Sequence, residues 1–82
     1  MKKAMPRPLH VIANEIRKDW KNIYFGAYPY LDAMSSLSNI TDSYGADSAK
    51  SIIVYFLANA NTYRGETAIT IKQELKQIAG IK

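Results

Sequence analysis

From Pro8 onward the apolar residues Leu9, Ile12, Ala13, Ile16, Trp20, Ile23 and Tyr24 recur at spacings of three and four, which gathers them on one face of a helix. Pro8 suits a first helical turn, where its missing N–H costs nothing, and Gly26 suits the stop just past the end. A second, shorter helix is predicted to open at Pro29 and to turn Tyr30, Leu31, Ala33, Met34 and Leu37 inward, with only the Gly26-Ala27-Tyr28 corner between the two. The stretch SLSNITDSYGAD, residues 36 to 47, is rich in side chains that bond nearby backbone and reads as the main loop. Asp47 or Ser48 then caps a third helix, whose stripe of Ala49, Ile52, Ile53, Phe56, Leu57 and Ala60 is wide enough to be central, while Val54 and Tyr55 add apolar surface on its far side. The run NANTYRG ends it. ETAITIKQELKQIAG forms a fourth helix with Ala68, Ile71, Leu75 and Ile78 inward and Gly80 as its C-terminal stop. Read alone, TAITI alternates like a strand, but it has no second strand to pair with. The expectation is an all-α fold, a single small four-helix bundle spanning residues 1–82, with residues 1–6 and the last two frayed.

Length and composition agree with that pattern. A chain of 82 residues buries only roughly 60% of its unfolded surface and supports one core. Its 48% apolar and 22% charged residues keep it clear of the disordered regime. With no cysteine, neither disulfides nor thiolate metal sites can staple it, so packing must supply the stability and an intracellular setting is expected. The start, MKKAMPRPLHVIANEIRKDW, has basic residues but no uninterrupted apolar stretch, so neither a secretory signal nor a membrane span is expected. The Asn39-Ile40-Thr41 sequon is therefore read as loop chemistry.

The inventory for catalysis is thin: one His, seven carboxylates and no Cys, without the convergent titratable groups that acid–base or nucleophilic chemistry needs. His10 falls on the polar side of the first helix with no carboxylate three or four residues away, and is read as a surface histidine. Glu15 and Asp19 form an i,i+4 pair on a solvated flank with no histidine at helical spacing. The four glycines are isolated and build no phosphate loop. No enzyme, no cofactor and no metal are expected.

What remains is a basic stripe and a set of rings. On helix one, Arg7, His10, Asn14, Arg17, Lys18 and Lys21 share roughly 100° of arc, and with Lys2 and Lys3 they hold more than half of the eleven Lys and Arg, although the net charge is only +4. This stripe is either a binding surface or a merely solvated face. Trp20, Phe25, Tyr30 and Phe56 are assigned to the core, which in a cysteine-free bundle needs large side chains. Tyr24, Tyr28 and Tyr63 sit near corners where a ring can anchor a partner, with Arg64 beside the last of them and Tyr44 a weaker candidate. The binding candidates are thus Arg7, Asn14, Arg17, Lys18, Lys21, Tyr24, Tyr28, Tyr63 and Arg64. Helices three and four, joined through NTYRG, also invite comparison with a helix-turn-helix exposing Thr67, Thr70, Gln73 and Lys76, although the turn lacks that motif's spacing.

DWKNIYFGAYPYLDAM at 19 to 34, YGADSAKSIIVYFLANANTYRGETA at 44 to 68 and IKQELK at 71 to 76 together resemble a group of small proteins encoded by bacteriophages and other mobile elements of bacteria, over most of the chain. The resemblance implies a setting, a bacterial cytoplasm during phage infection or prophage carriage, and transfers no active site. The resemblance implies that members of that group often carry Trp where Tyr63 stands and further arginines near Ile69 and Thr70, a departure that moves weight from helix four to helix one. Two functions are then expected. In the first, an accessory protein binds and modulates a host protein, in host takeover or anti-defence. In the second, it binds nucleic acid through the helix-one stripe, with phosphates supplying the affinity. A structural role in the virion is a third possibility.

Overall fold

The computed structural model describes residues 7–45 and 47–81. The expected apolar face of helix one is real: Leu9, Ile12, Ala13 and Ile16 are buried along α1, Leu9–Asp19. Its N-terminus has no side-chain cap. Instead the Leu9 and His10 N–H groups donate to the carbonyls of Ser38 and Leu37, both at 2.9 Å, so the main loop satisfies the donors that a helix start leaves orphaned.

Helix one ends earlier than its periodicity predicts. Trp20 is already extended, at φ −91° and ψ 97°, and the backbone turns away from the helix before Ile23 and Tyr24. The physical reason is the Trp20 ring, which turns inward to stack on Tyr63 with centroids 5.0 Å apart and to meet Phe56 edge-on at 6.3 Å. The chain then makes a 3-10 turn at Phe25–Ala27 and enters α2, Tyr28–Met34, whose proline sits in the first turn as expected. Leu31, Ala33 and Met34 are buried there, and Leu37 closes the face from just beyond the helix. Phe25 is not in the core: it is 76% exposed, because the 3-10 turn buries Ala27 and points the phenyl ring outward. Tyr30 is half-buried, packed against the core and tilted on Tyr55 at 5.6 Å.

The loop carries its own order. Asp42 Oδ2 accepts from the Ser38 and Asn39 N–H groups at 2.8 and 3.2 Å, and Asn39 Oδ1 accepts from Thr41. A two-residue antiparallel pair, β1 Ser43–Tyr44 with β2 Asp47–Ser48, follows around Gly45 at φ +61°, a left-handed conformation that favours glycine. The turn-forming composition of residues 36 to 47 predicts loop alone and carries no signal for this short pairing. Ser48 caps α3, Ala49–Ala58, by accepting from the Ser51 N–H at 3.1 Å. Ala49, Ile52, Ile53 and Phe56 face inward, while Val54 and Tyr55 are exposed as expected.

TAITI is helical, lying within α4, Glu66–Ala79, where Ala68, Ile71, Leu75 and Ala79 are buried. Gly80 ends the helix in the left-handed region at φ 74°, and Ile81 folds back so that its N–H reaches the Lys76 carbonyl at 2.8 Å. Ile81 packs against the core rather than fraying. The principal contacts run α1 to α2, α2 to α3, α3 to α4 and α4 back to α1, so the four helices close around one core, the all-α bundle that the periodicity predicts. The expectation for residues 1–6 and for Lys82, including Lys2 and Lys3, lies outside the described residues.

Candidate functional site

The basic stripe is only partly available. Arg7 is drawn into the fold: Nε and Nη2 donate to Glu74 Oε2 and Oε1 at 3.0 and 2.7 Å, and Nη1 donates to Glu15 Oε1 at 2.6 Å. Hydrogen bonding to Glu74, then to Glu15, raises its pKa above the ordinary arginine range. This bidentate fork ties the start of α1 to α4 and is a structural use of arginine. Arg17 in turn donates to Asp32 Oδ1 at 2.5 Å, bridging α1 to α2. Asn14, Lys18 and Lys21 are exposed without such partners among the described residues. His10 is exposed, its Nδ1 3.2 Å from the Leu37 carbonyl. A helical projection places Arg7 and Arg17 on the stripe correctly but does not show where long side chains reach.

The acidic flank is likewise more than a solvated face. Glu15 accepts from Arg7, and Asp19 Oδ2 accepts from the Tyr63 hydroxyl at 2.9 Å. Tyr63, expected to be a half-exposed corner ring, is 1% exposed and stacked on Trp20, so it is core and offers no open face to a ligand. Burial first, then the hydrogen bond to Asp19, pushes its pKa above the ordinary tyrosine range. Lys72 Nζ lies 5.9 Å from the centroid of the same ring, close enough for a cation–π attraction. Burial, and the positive charges of Arg64 and Lys76, push the Lys72 pKa down.

The other two tyrosine candidates are exposed. Tyr24 and Tyr28 are each 44% accessible, and between them stands Phe25, so three ring-bearing residues are presented within residues 24–28. Tyr24 is tilted against Phe25 at 51°, centroids 4.9 Å apart. The position of Tyr24 depends on Gly26, because a Cβ there would come 2.6 Å from Tyr24 Cε2 and 2.9 Å from Asn59 Oδ1. Beside the corner opens a cleft of about 250 Å³ lined by Tyr24, Ala58, Asn59, Asn61 and Thr62. Asn59 is fixed by donating from Nδ2 to the Tyr55 carbonyl at 2.9 Å, and Arg64 Nε donates to the Asn61 carbonyl at 3.3 Å. The structure thus joins Tyr24 to the end of α3 and the segment after it, two regions the sequence reading kept apart. Phe25 and the amide-bearing wall of Asn59, Asn61 and Thr62 were missed. The Phe25 signal was the absence of any helical register for it once helix one stops at Asp19.

Residues 59–65 between α3 and α4 are longer than the turn of about three or four residues in a helix-turn-helix. The side chain of Tyr44 lies outside the described residues. Among the described residues no group of three or more His, Cys, Asp or Glu is placed to hold a metal ion, and no helix is long and apolar enough to cross a membrane. Compared with known proteins, the chain matches no family model, no curated protein and no solved structure. The functional reading therefore rests on the geometry of the corner and of the charges around it.

Proposed function

We propose that the chain is a non-enzymatic binding module that docks on a protein partner through the aromatic corner of Tyr24, Phe25 and Tyr28. In the setting implied by the resemblance to phage and mobile-element proteins, the partner is a protein of the bacterial host, and docking modulates it. The observation that supports this reading is the 76% exposure of Phe25, flanked by two tyrosines at 44%. Leaving a phenyl ring in water forgoes about 1.5–3 kcal/mol that burial would return. A partner that covers it recovers that energy, and tyrosines beside it add large contact area at low entropic cost.

The nucleic-acid alternative is weakened by the pairing of Arg7 with Glu15 and Glu74 and of Arg17 with Asp32, which leaves few cations on the helix-one stripe for phosphates. The tagged chain, incubated with bacterial lysate with and without nuclease, separates the two readings. Retention of a specific protein after nuclease treatment, lost on Phe25→Ala with Tyr28→Ala, is the expected result. Capture that vanishes with nuclease and is indifferent to those two rings contradicts the proposal.

A further inference from the structure

Resting on the protein-binding reading above, the partner's chemistry is specified by a row of cations that starts at the cleft beside the corner, where Arg64 bonds the Asn61 carbonyl, and continues along α4 through Lys72 and Lys76. Arg7 and Arg17 each have a carboxylate within the fold, whereas Arg64, Lys72 and Lys76 have none among the described residues. Five carboxylates are engaged elsewhere, Glu15 and Glu74 with Arg7, Asp32 with Arg17, Asp19 with Tyr63, and Asp42 with the loop backbone, while Glu66, which makes no side-chain hydrogen bond or ion pair among the described residues, lines a separate cleft with Arg7, Glu15 and Glu74. Arg64 is held at the cleft by its Nε bond to the Asn61 carbonyl, while Nη1 and Nη2 make no hydrogen bond among the described residues. A planar guanidinium fixed by one edge presents the other as a fork for a carboxylate. Lys72 stands over Tyr63, where burial first and then the fields of Arg64 and Lys76 disfavour its charge, and an arriving anion would offset the repulsive part.

We propose that the partner docks through an acidic polypeptide segment, an apolar side chain covering Phe25 while its carboxylates meet Arg64, Lys72 and Lys76. A protein is favoured over a nucleic acid as the source of the anion by the corner itself. Stacking of bases calls for open, parallel ring faces, but Tyr24 is tilted on Phe25 and has ring carbons against Gly26. An apolar anchor with flanking carboxylates uses both the exposed phenyl and the unpaired cations, giving electrostatic complementarity around a desolvated contact.

The test is a nuclear magnetic resonance titration of the isotope-labelled full chain with three probes: a synthetic peptide of glutamates flanking one leucine, the same peptide with glutamine at each glutamate, and an oligothymidylate of equal charge. The glutamate peptide is expected to shift the amides of Phe25, Asn61, Arg64 and Lys72, and to bind at least about tenfold more tightly than the glutamine peptide, a gap of about 1.4 kcal/mol. Arg64→Gln with Lys76→Gln should remove that advantage, and Lys18→Gln with Lys21→Gln should not. Lys72→Gln, tested separately with a thermal melt, should act in the same direction in a chain that remains folded. Equal affinity of both peptides, with Phe25 still shifting, overturns the acidic-partner inference and leaves the docking corner standing. Shifts confined to the cations and unchanged by Phe25→Ala overturn the corner itself. Tighter binding of the oligothymidylate than of the glutamate peptide, or no binding of either peptide, also overturns the inference.

Discussion

Tyr63 joins the core and the acidic flank, so its truncation separates two contributions that a single substitution usually confounds. Tyr63→Phe keeps the ring stacked on Trp20 and removes only the hydroxyl that donates to Asp19 at 2.9 Å. A hydrogen bond to a charged group contributes about 1.5–3 kcal/mol when shielded, but Asp19 is exposed and water can replace the phenol, so a loss of about 1 kcal/mol is expected. In a domain of this size that lowers the midpoint by about 4–8 °C. Tyr63→Ala adds the cavity and the lost stacking, about 3–5 kcal/mol, a large share of the 5–15 kcal/mol that holds a typical small protein together. Trp20, the only tryptophan, reports on both in urea titrations, and in Tyr63→Ala its emission should move toward that of a solvated ring. The pH dependence has a definite sign. Burial and the Asp19 bond raise the folded-state pKa of Tyr63, so its stabilisation is complete below the ordinary value of about 10 and is lost as pH rises from there through the folded-state value. Tyr63→Phe should lack that alkaline loss, and its deficit relative to the parent should shrink above pH of about 10. The reasoning is refuted if Tyr63→Phe matches the parent at neutral pH and shows the same alkaline loss, or if Tyr63→Ala costs less than about 1 kcal/mol.

Three further substitutions probe the rest of the account. Gly26→Ala should cost about 1–3 kcal/mol through crowding of Tyr24 and Asn59, and should weaken partner capture as well; a thermal melt and a capture assay together check both effects. Arg7→Gln leaves Glu15 and Glu74 without their shared cation and should cost about 1–2 kcal/mol, a deficit that molar salt reduces in a melt by screening the parent's pairs. Phe25→Ala, by contrast, should change stability by no more than about 0.5 kcal/mol, because the ring is mostly in water; a larger loss in urea would mean that the corner is structural.

The faces of α1, α3 and α4 were legible because each buries a stripe at helical spacing, and Gly80 as a stop and Ser48, with Asp47 as its rival, as a cap were legible because such roles depend on local geometry. Residues whose roles depend on distant partners were not. Trp20 was placed inside correctly, but its turn toward Tyr63, a residue far along the chain, is what ends α1 at Asp19 and removes Phe25 from any inward face. Tyr63 looked like a corner residue because NTYRG is a turn sequence, and only the fold lays that turn over Trp20. Arg7 looked like part of a stripe because a helical projection places the start of its side chain and not the guanidinium that meets Glu74. The exposed pair Tyr24 and Tyr28 was anticipated from their corner positions, while the wall facing Tyr24, formed by Asn59, Asn61 and Thr62, required the packing of the corner against the end of α3.

The central claim is that binding runs through the aromatic corner and not through the helix-one stripe, and a paired capture from nuclease-treated bacterial lysate tests it most directly. One variant carries Phe25→Ala with Tyr28→Ala, the other Lys18→Glu with Lys21→Glu, and circular dichroism establishes that both are folded before their captured protein is quantified against the parent. The account predicts loss of the specific protein in the first variant and its retention in the second. Retention in the first with loss in the second would contradict it.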